Sequence, residues 1–301
     1  MKENNREQGK QPSQSTPSLA EIAQLRADRR FPAAAHFLAT ELAQIYDGDR
    51  TLNTLLNNAA RLQMSYSCLV LHWSERQGDT YAGLTMSRFK AICKAQRFCS
   101  PGRAEATMAL MRKFGWIRAV SDPHDRRLKL LVPTEKMTMA HLRLWRRHLE
   151  GASMVLADVG DTLAALDRPE FATTFLRRIS HDYFRGVRIR EAAPDFGKYM
   201  DRNNGMVILF SLYGRRTSGK GAADGVIAIS VSRLARQFGA SRALVRDLLG
   251  EAEKDGLVRR EGAGGVVLLP PLVDMIESIV ACMFLLYRRW GQQVLDEIAE
   301  S

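Results

Sequence analysis

The segment SVSRLARQFGASRALVRDLLGEAEKDGLVRR, Ser230 to Arg260, decides how this chain is to be read. Leu234, Ala235 and Phe238 are spaced for one face of a short helix, and Gly239 then breaks it. Ser241 supplies a side-chain oxygen to the free amides of a second helix. Along that second helix Val245, Leu248, Leu249 and Ala252 form a single inward stripe. Arg242, Ala243, Leu244, Arg246 and Asp247 are left on the outward face and its edges. Two short helices around a glycine turn, the second basic at its exposed N-terminal end, make a helix-turn-helix arrangement. Leu257 to Arg260 and Val266 to Leu269, around EGAGG, predict a small strand pair behind it.

The same order of signals occurs earlier. Ser67 to Pro133 and Gly205 to Pro271 each hold an apolar helix, a glycine-containing loop, a Ser-Arg opening and a second serine that starts a helix. The openings are Ser87-Arg88 and Ser232-Arg233, and the capping serines are Ser100 and Ser241. Gly115-Trp116-Ile117 and Gly256-Leu257-Val258 mark equivalent exits, followed by a polar turn and an aliphatic strand ending at Pro133 or Pro270. In the first copy Ser100 precedes a proline at the first helical position. Ala104, Thr107, Met108 and Met111 take the inward offsets, leaving Arg103, Glu105 and Ala106 outward. This copy has four more residues between its opening and capping serines. Outside these units, RFPAAAHFLATELAQIY from Arg30 matches PEFATTFLRRISHDYF from Pro169, and LRLWRR from Leu142 echoes FLLYRR from Phe284. The expected organisation is a disordered polar tail over residues 1–20, then copies over 21–160 and 161–301, joined by a helix through ASMVLADVGDTLAALD.

Charge and composition narrow the function class. A formal net charge of +11 points to an anionic partner. Cys68, Cys93, Cys99 and Cys282 form no CxxC pair, and the six histidines form no HExxH, so no metal site is expected. Without a nucleophile elbow, Walker loop or dinucleotide fingerprint, no catalytic residues and no cofactor are expected, and the protein reads as a non-enzyme. GRRTSGKGAADG, from Gly214, lacks Walker spacing and reads as a flexible basic loop. No secretory signal is seen at the N-terminus, and Leu272 to Tyr287, broken by Asp274 and Glu277, reads as a buried amphipathic helix. A cytoplasmic, nucleoid-associated protein with no membrane partner is the expectation.

GWIRAVSDPHDRRLKLLVPT, Gly115 to Thr134, resembles the wing of MarR-type winged-helix regulators through Asp122, Pro123, Asp125, Arg126, Arg127 and Thr134. Leu234 to Val258 is an independent match to that family's helix-turn-helix, and the two winged units cover about two-thirds of the chain. The implied fold is mostly α with small β-wings: two tandem winged helix-turn-helix domains plus flanking dimerisation-type helices. These flanking helices are expected near Phe31–Tyr46, Ala140–Leu166, Phe171–Phe184 and Leu272–Ile298. The implied function is a transcriptional regulator of double-stranded DNA, as a monomeric pseudo-dimer or a homodimer. Recognition helices would enter the major groove, bringing Arg103, Glu105, Arg242, Leu244 and Arg246, while Arg126 or Arg127 would enter the minor groove beside His124. Asp125 and Asp122 would shape that wing. EGAGG has neither the aspartate nor the tip arginines, so the second wing would rely on Arg259 and Arg260. Leu244 suits either a thymine methyl or a neighbouring helix.

Gln63 to Trp73 raises a pocket for a small-molecule effector of unknown identity, against plain core packing. Two rival readings remain: a plasmid-type replication initiator, which also uses two winged domains, and a regulator whose second domain is only an interaction module.

Overall fold

The computed structural model describes residues 16–73, 83–121, 129–216, 225–262 and 264–300. Ser18 and Glu21 form a capping box that starts α1 (Leu19–Arg26), so helix begins inside the stretch expected as tail, whose residues 1–15 lie outside the described residues. Then come α2 (Phe31–Tyr46), α3 (Arg50–Leu55), α4 (Ala59–Trp73), α5 (Met86–Ala95) and α6 (Pro101–Lys113). Strands β1 (Ile117–Ser121) and β2 (Lys129–Pro133) pair antiparallel and lead into α7 (Glu135–Ser153).

After the short α8 (Gly160–Ala165) this order returns. It runs through α9 (Pro169–Phe184), α10 (Gly197–Asp201), α11 (Gly205–Gly214), β3 (Ile227–Ala228), α12 (Val231–Gln237) and α13 (Arg242–Lys254). Strands β4 (Val258–Glu261) and β5 (Gly265–Leu268) and the long α14 (Pro270–Ala299) close it. The described chain is thus mostly helical with a few small antiparallel strands.

Burial repeats with the order. Ala34, Ala35, Leu38, Ala39, Leu42 and Ala43 on α2 are buried at the same spacing as Phe171, Ala172, Phe175, Leu176, Ile179 and Ser180 on α9. Each of these helices packs against the opposite half, α2 along α11 and α9 along α4. α7 packs on α2, α14 packs on α9, and α7 and α14 pack on each other, so one apolar cluster runs through both halves. Small residues permit α2 and α11 to approach closely: a Cβ on Gly214 would lie 2.8 Å from Thr40 Oγ1 and 3.1 Å from the Thr40 backbone.

Three details depart from expectation. The joining helix breaks after Ser153. Its hydroxyl takes the Glu150 carbonyl, Met154 and Val155 amides tighten onto the carbonyls three residues back, and Leu156 is extended. A 3-10 turn (Ala157–Val159) follows, and Val155 and Val159 are buried. Each strand pair also gains a third partner, β3 against β5 and the Leu84 bridge to Leu131. Finally, Pro270 is not the counterpart of Pro133 but the first residue of α14. The Thr134 amide reaches the Trp116 carbonyl at 2.8 Å and the Leu269 amide reaches that of Leu257 at 2.9 Å, which aligns Pro133 with Leu268. By length and composition α14 could cross a membrane, yet 61% of its most apolar window is buried inside the protein.

Candidate nucleic-acid interface

Capping positions both helix pairs. Thr85 and Ser230 cap α5 and α12, while Ser100 and Ser241 accept from the amides of Arg103 (3.4 Å) and Leu244 (3.0 Å) at the starts of α6 and α13. In the turns between them Gly239 has φ +57° and Arg97 has φ +55°, a left-handed residue at the same place. The Phe98 amide returns to the Cys93 carbonyl and that of Ala240 to Ala235, each at 2.9 Å. Of the four extra residues in the first copy, three lengthen α5 (10 residues against 7 in α12) and Cys99 extends the turn.

α6 and α13 each have 13 residues, with Ala104, Thr107, Met108 and Met111 buried in one and Val245, Leu248, Leu249 and Ala252 in the other. Their outer faces carry Arg103, Glu105, Arg242 and Arg246, all exposed. Among the described residues no carboxylate pairs with Arg103, Arg242 or Arg246, whereas Glu105 takes Lys90 of α5 at 2.6 Å. Leu244 is half-buried and packs against the core. Arg259 and Arg260 are exposed but partnered: Arg259 Nε meets Glu261 at 2.6 Å, and Arg260 Nε meets Glu253 Oε2 at 2.6 Å. The Arg260 hydrogen bonds hold the Glu253 carboxyl below its usual pKa. Asp122, His124, Asp125, Arg126 and Arg127 lie outside the described residues.

Further cations join the first unit that helix-and-turn reasoning passed over. Arg112, Arg118 and Lys129 are exposed, and Arg112 and Lys129 border a cleft of about 400 Å³ with Met86, Ala119, Ser121 and Leu131. The available signal was that Arg118 directly follows apolar Ile117, which is buried at the start of β1, and so takes the opposite face. Half-buried Arg61 on α4 donates to the Thr54 carbonyl, and burial together with the nearby Arg103 lowers its pKa.

Each turn rests on the other half. The Gly48 amide donates to the Gln237 carbonyl at 2.9 Å, and Gln237 Nε2 donates to Asp47 at 3.2 Å. In the first unit Phe98 packs against Tyr183 of α9, the rings tilted at 45° with centroids 5.7 Å apart. The aromatic stretch Gln63 to Trp73 is largely packed core: Trp145 Nε1 donates to the Tyr66 hydroxyl at 3.0 Å, and Ser65 Oγ meets His141 Nε2 at 2.7 Å. His141 Nδ1 has no partner, which fits a neutral ring carrying its proton on Nε2, since a bare acceptor is easier to bury than a bare donor. Burial lowers the His141 pKa to about 3 and that of His148 to about 4. Burial likewise pushes the Cys93 thiol up to about 12, which makes it a poor nucleophile.

The chain matches no family model, no curated protein and no solved structure. What the two units offer is therefore set by their own residues: guanidinium donors on fixed helices, suited to phosphate and to base edges.

Proposed function

We propose that the chain binds double-stranded DNA as a transcriptional regulator of the MarR type, built from two winged helix-turn-helix units in one polypeptide. α6 and α13 enter the major groove, and the first strand pair brings Arg126 and Arg127 to phosphate or the minor groove. One observation carries this reading: α6 and α13 expose capped, arginine-bearing N-terminal faces while equivalent apolar stripes hold them on the body. The net charge of +11 supplies long-range attraction to a polyanion.

The test is anisotropy-monitored binding of duplex and single-stranded oligonucleotides over a salt series. Duplex binding should weaken linearly in log K against log salt, and joint Arg126→Glu and Arg127→Glu substitution should flatten that slope. An unchanged slope in the double variant contradicts the wing assignment, and absence of duplex binding at low salt contradicts the function.

A second reading has the second unit acting only as an interaction module. The pairing of Arg259 and Arg260 with Glu261 and Glu253 favours it. Under that reading, Arg242→Glu with Arg246→Glu leaves DNA affinity unchanged.

A further inference from the structure

We propose that this chain reads an asymmetric DNA site in a single orientation, with the first half supplying most of the phosphate attraction and the second adding its own base selection through Arg242, Arg246 and Asp247. The proposal rests on the DNA-binding reading above and goes beyond it to the symmetry and polarity of the target.

Palindromic operators follow from identical recognition helices related by a two-fold axis. Here the two helices are equal in length and in buried register, so every position on α6 has a counterpart 141 residues later on α13. The exposed faces nevertheless disagree. Pro101 faces Arg242 across this register, Glu105 faces Arg246, Ala106 faces Asp247, and exposed Arg103 corresponds to half-buried Leu244. Arginine donates to guanine O6 and N7, whereas glutamate accepts from the cytosine amino group, so a Glu-for-Arg exchange cannot make the same base contact on the same strand. Glu105 is moreover tied to Lys90, while Arg246 has no carboxylate partner among the described residues.

Charge divides just as unequally. Residues 83–134 hold eleven Lys and Arg against three Asp and Glu, net +8, and residues 225–269 hold seven against five, net +2. Within the second unit Glu253 and Glu261 engage Arg260 and Arg259, and Glu251 and Asp255 engage Arg202 and Lys198. The phosphate term is therefore weighted toward the first half. Because each turn is seated on the opposite half, through Gln237 on Gly48 and Phe98 on Tyr183, the units are held in a fixed mutual arrangement. Turning the molecule end over end on its site would set α6 over the bases suited to α13.

Enrichment of bound sequences from a randomised duplex library, using the full chain, tests this. The expected consensus has two unlike halves. A synthetic site with one half replaced by the inverted repeat of the other should bind about ten-fold more weakly, the order of a mismatched base pair. Arg246→Glu should alter base preference in one half only, and Arg103→Leu in the other. A palindromic consensus, or both variants changing the same half, overturns the proposal. Salt-dependent duplex binding without sequence enrichment overturns it and leaves the DNA-binding reading standing. Absence of duplex binding overturns both.

Discussion

His141 and His148 illustrate how burial converts a residue type into a stability term. Both are neutral in the folded protein, with pKa values lowered to about 3 and about 4 from an ordinary 6.5. A lowered folded pKa means that acid favours the unfolded chain, which protonates first; stability is full above about pH 6.5 and falls as pH drops toward 4. Each histidine should cost about 2 kcal/mol between pH 7 and pH 5. Urea denaturation at those two pH values measures the loss, and His148→Gln should reduce its pH dependence. Equal stability at both values contradicts the buried neutral assignment. Neither histidine could be placed from sequence, because spacing gives the face a side chain occupies and not the depth of what covers it. Arg260 shows the same gap: its exposure was legible, whereas the Glu253 carboxylate that engages it arises from the meeting of β4 with the end of α13.

At the scale of elements, most of the two repeated units could be read directly. Serine caps, the glycine after each second helix and the inward offsets gave α6 and α13 their bounds, because these signals act within one turn of chain. The first turn was harder, since Arg97 occupies the left-handed position that glycine fills in the second unit. Arg97→Gly should stabilise the protein by about 0.5–1 kcal/mol by removing the Cβ clash. Gly256→Ala, at φ +69° with open space around it, should destabilise by about 1 kcal/mol through the backbone alone. Thermal denaturation of the two variants should move in opposite directions; a shared direction contradicts the left-handed strain at these two positions. β3, the Leu84 bridge and the break after Ser153 were not legible, because short bridges and 3-10 turns follow tertiary contacts rather than periodicity.

For the whole molecule, duplication was visible in the sequence, but the way the copies interlock was not. Apolar stripes on α2 and α9 announced that each helix is covered, and only the folded chain places α2 on α11 and α9 on α4. Gly214→Val probes that crossing. The added side chain would press on the Thr40 backbone and should cost about 2 kcal/mol, lowering the urea midpoint of a single transition in which both halves unfold together. Separate transitions for the halves contradict the shared core. Whether α6 and α13 address one duplex together is tested most directly by hydroxyl-radical footprinting of the full chain on its enriched site. Two protected segments on one face of the duplex, about one helical turn or a multiple apart, are expected, with Arg242→Glu and Arg246→Glu removing only one of them. A single protected segment, or two that both survive that double substitution, would contradict their joint engagement.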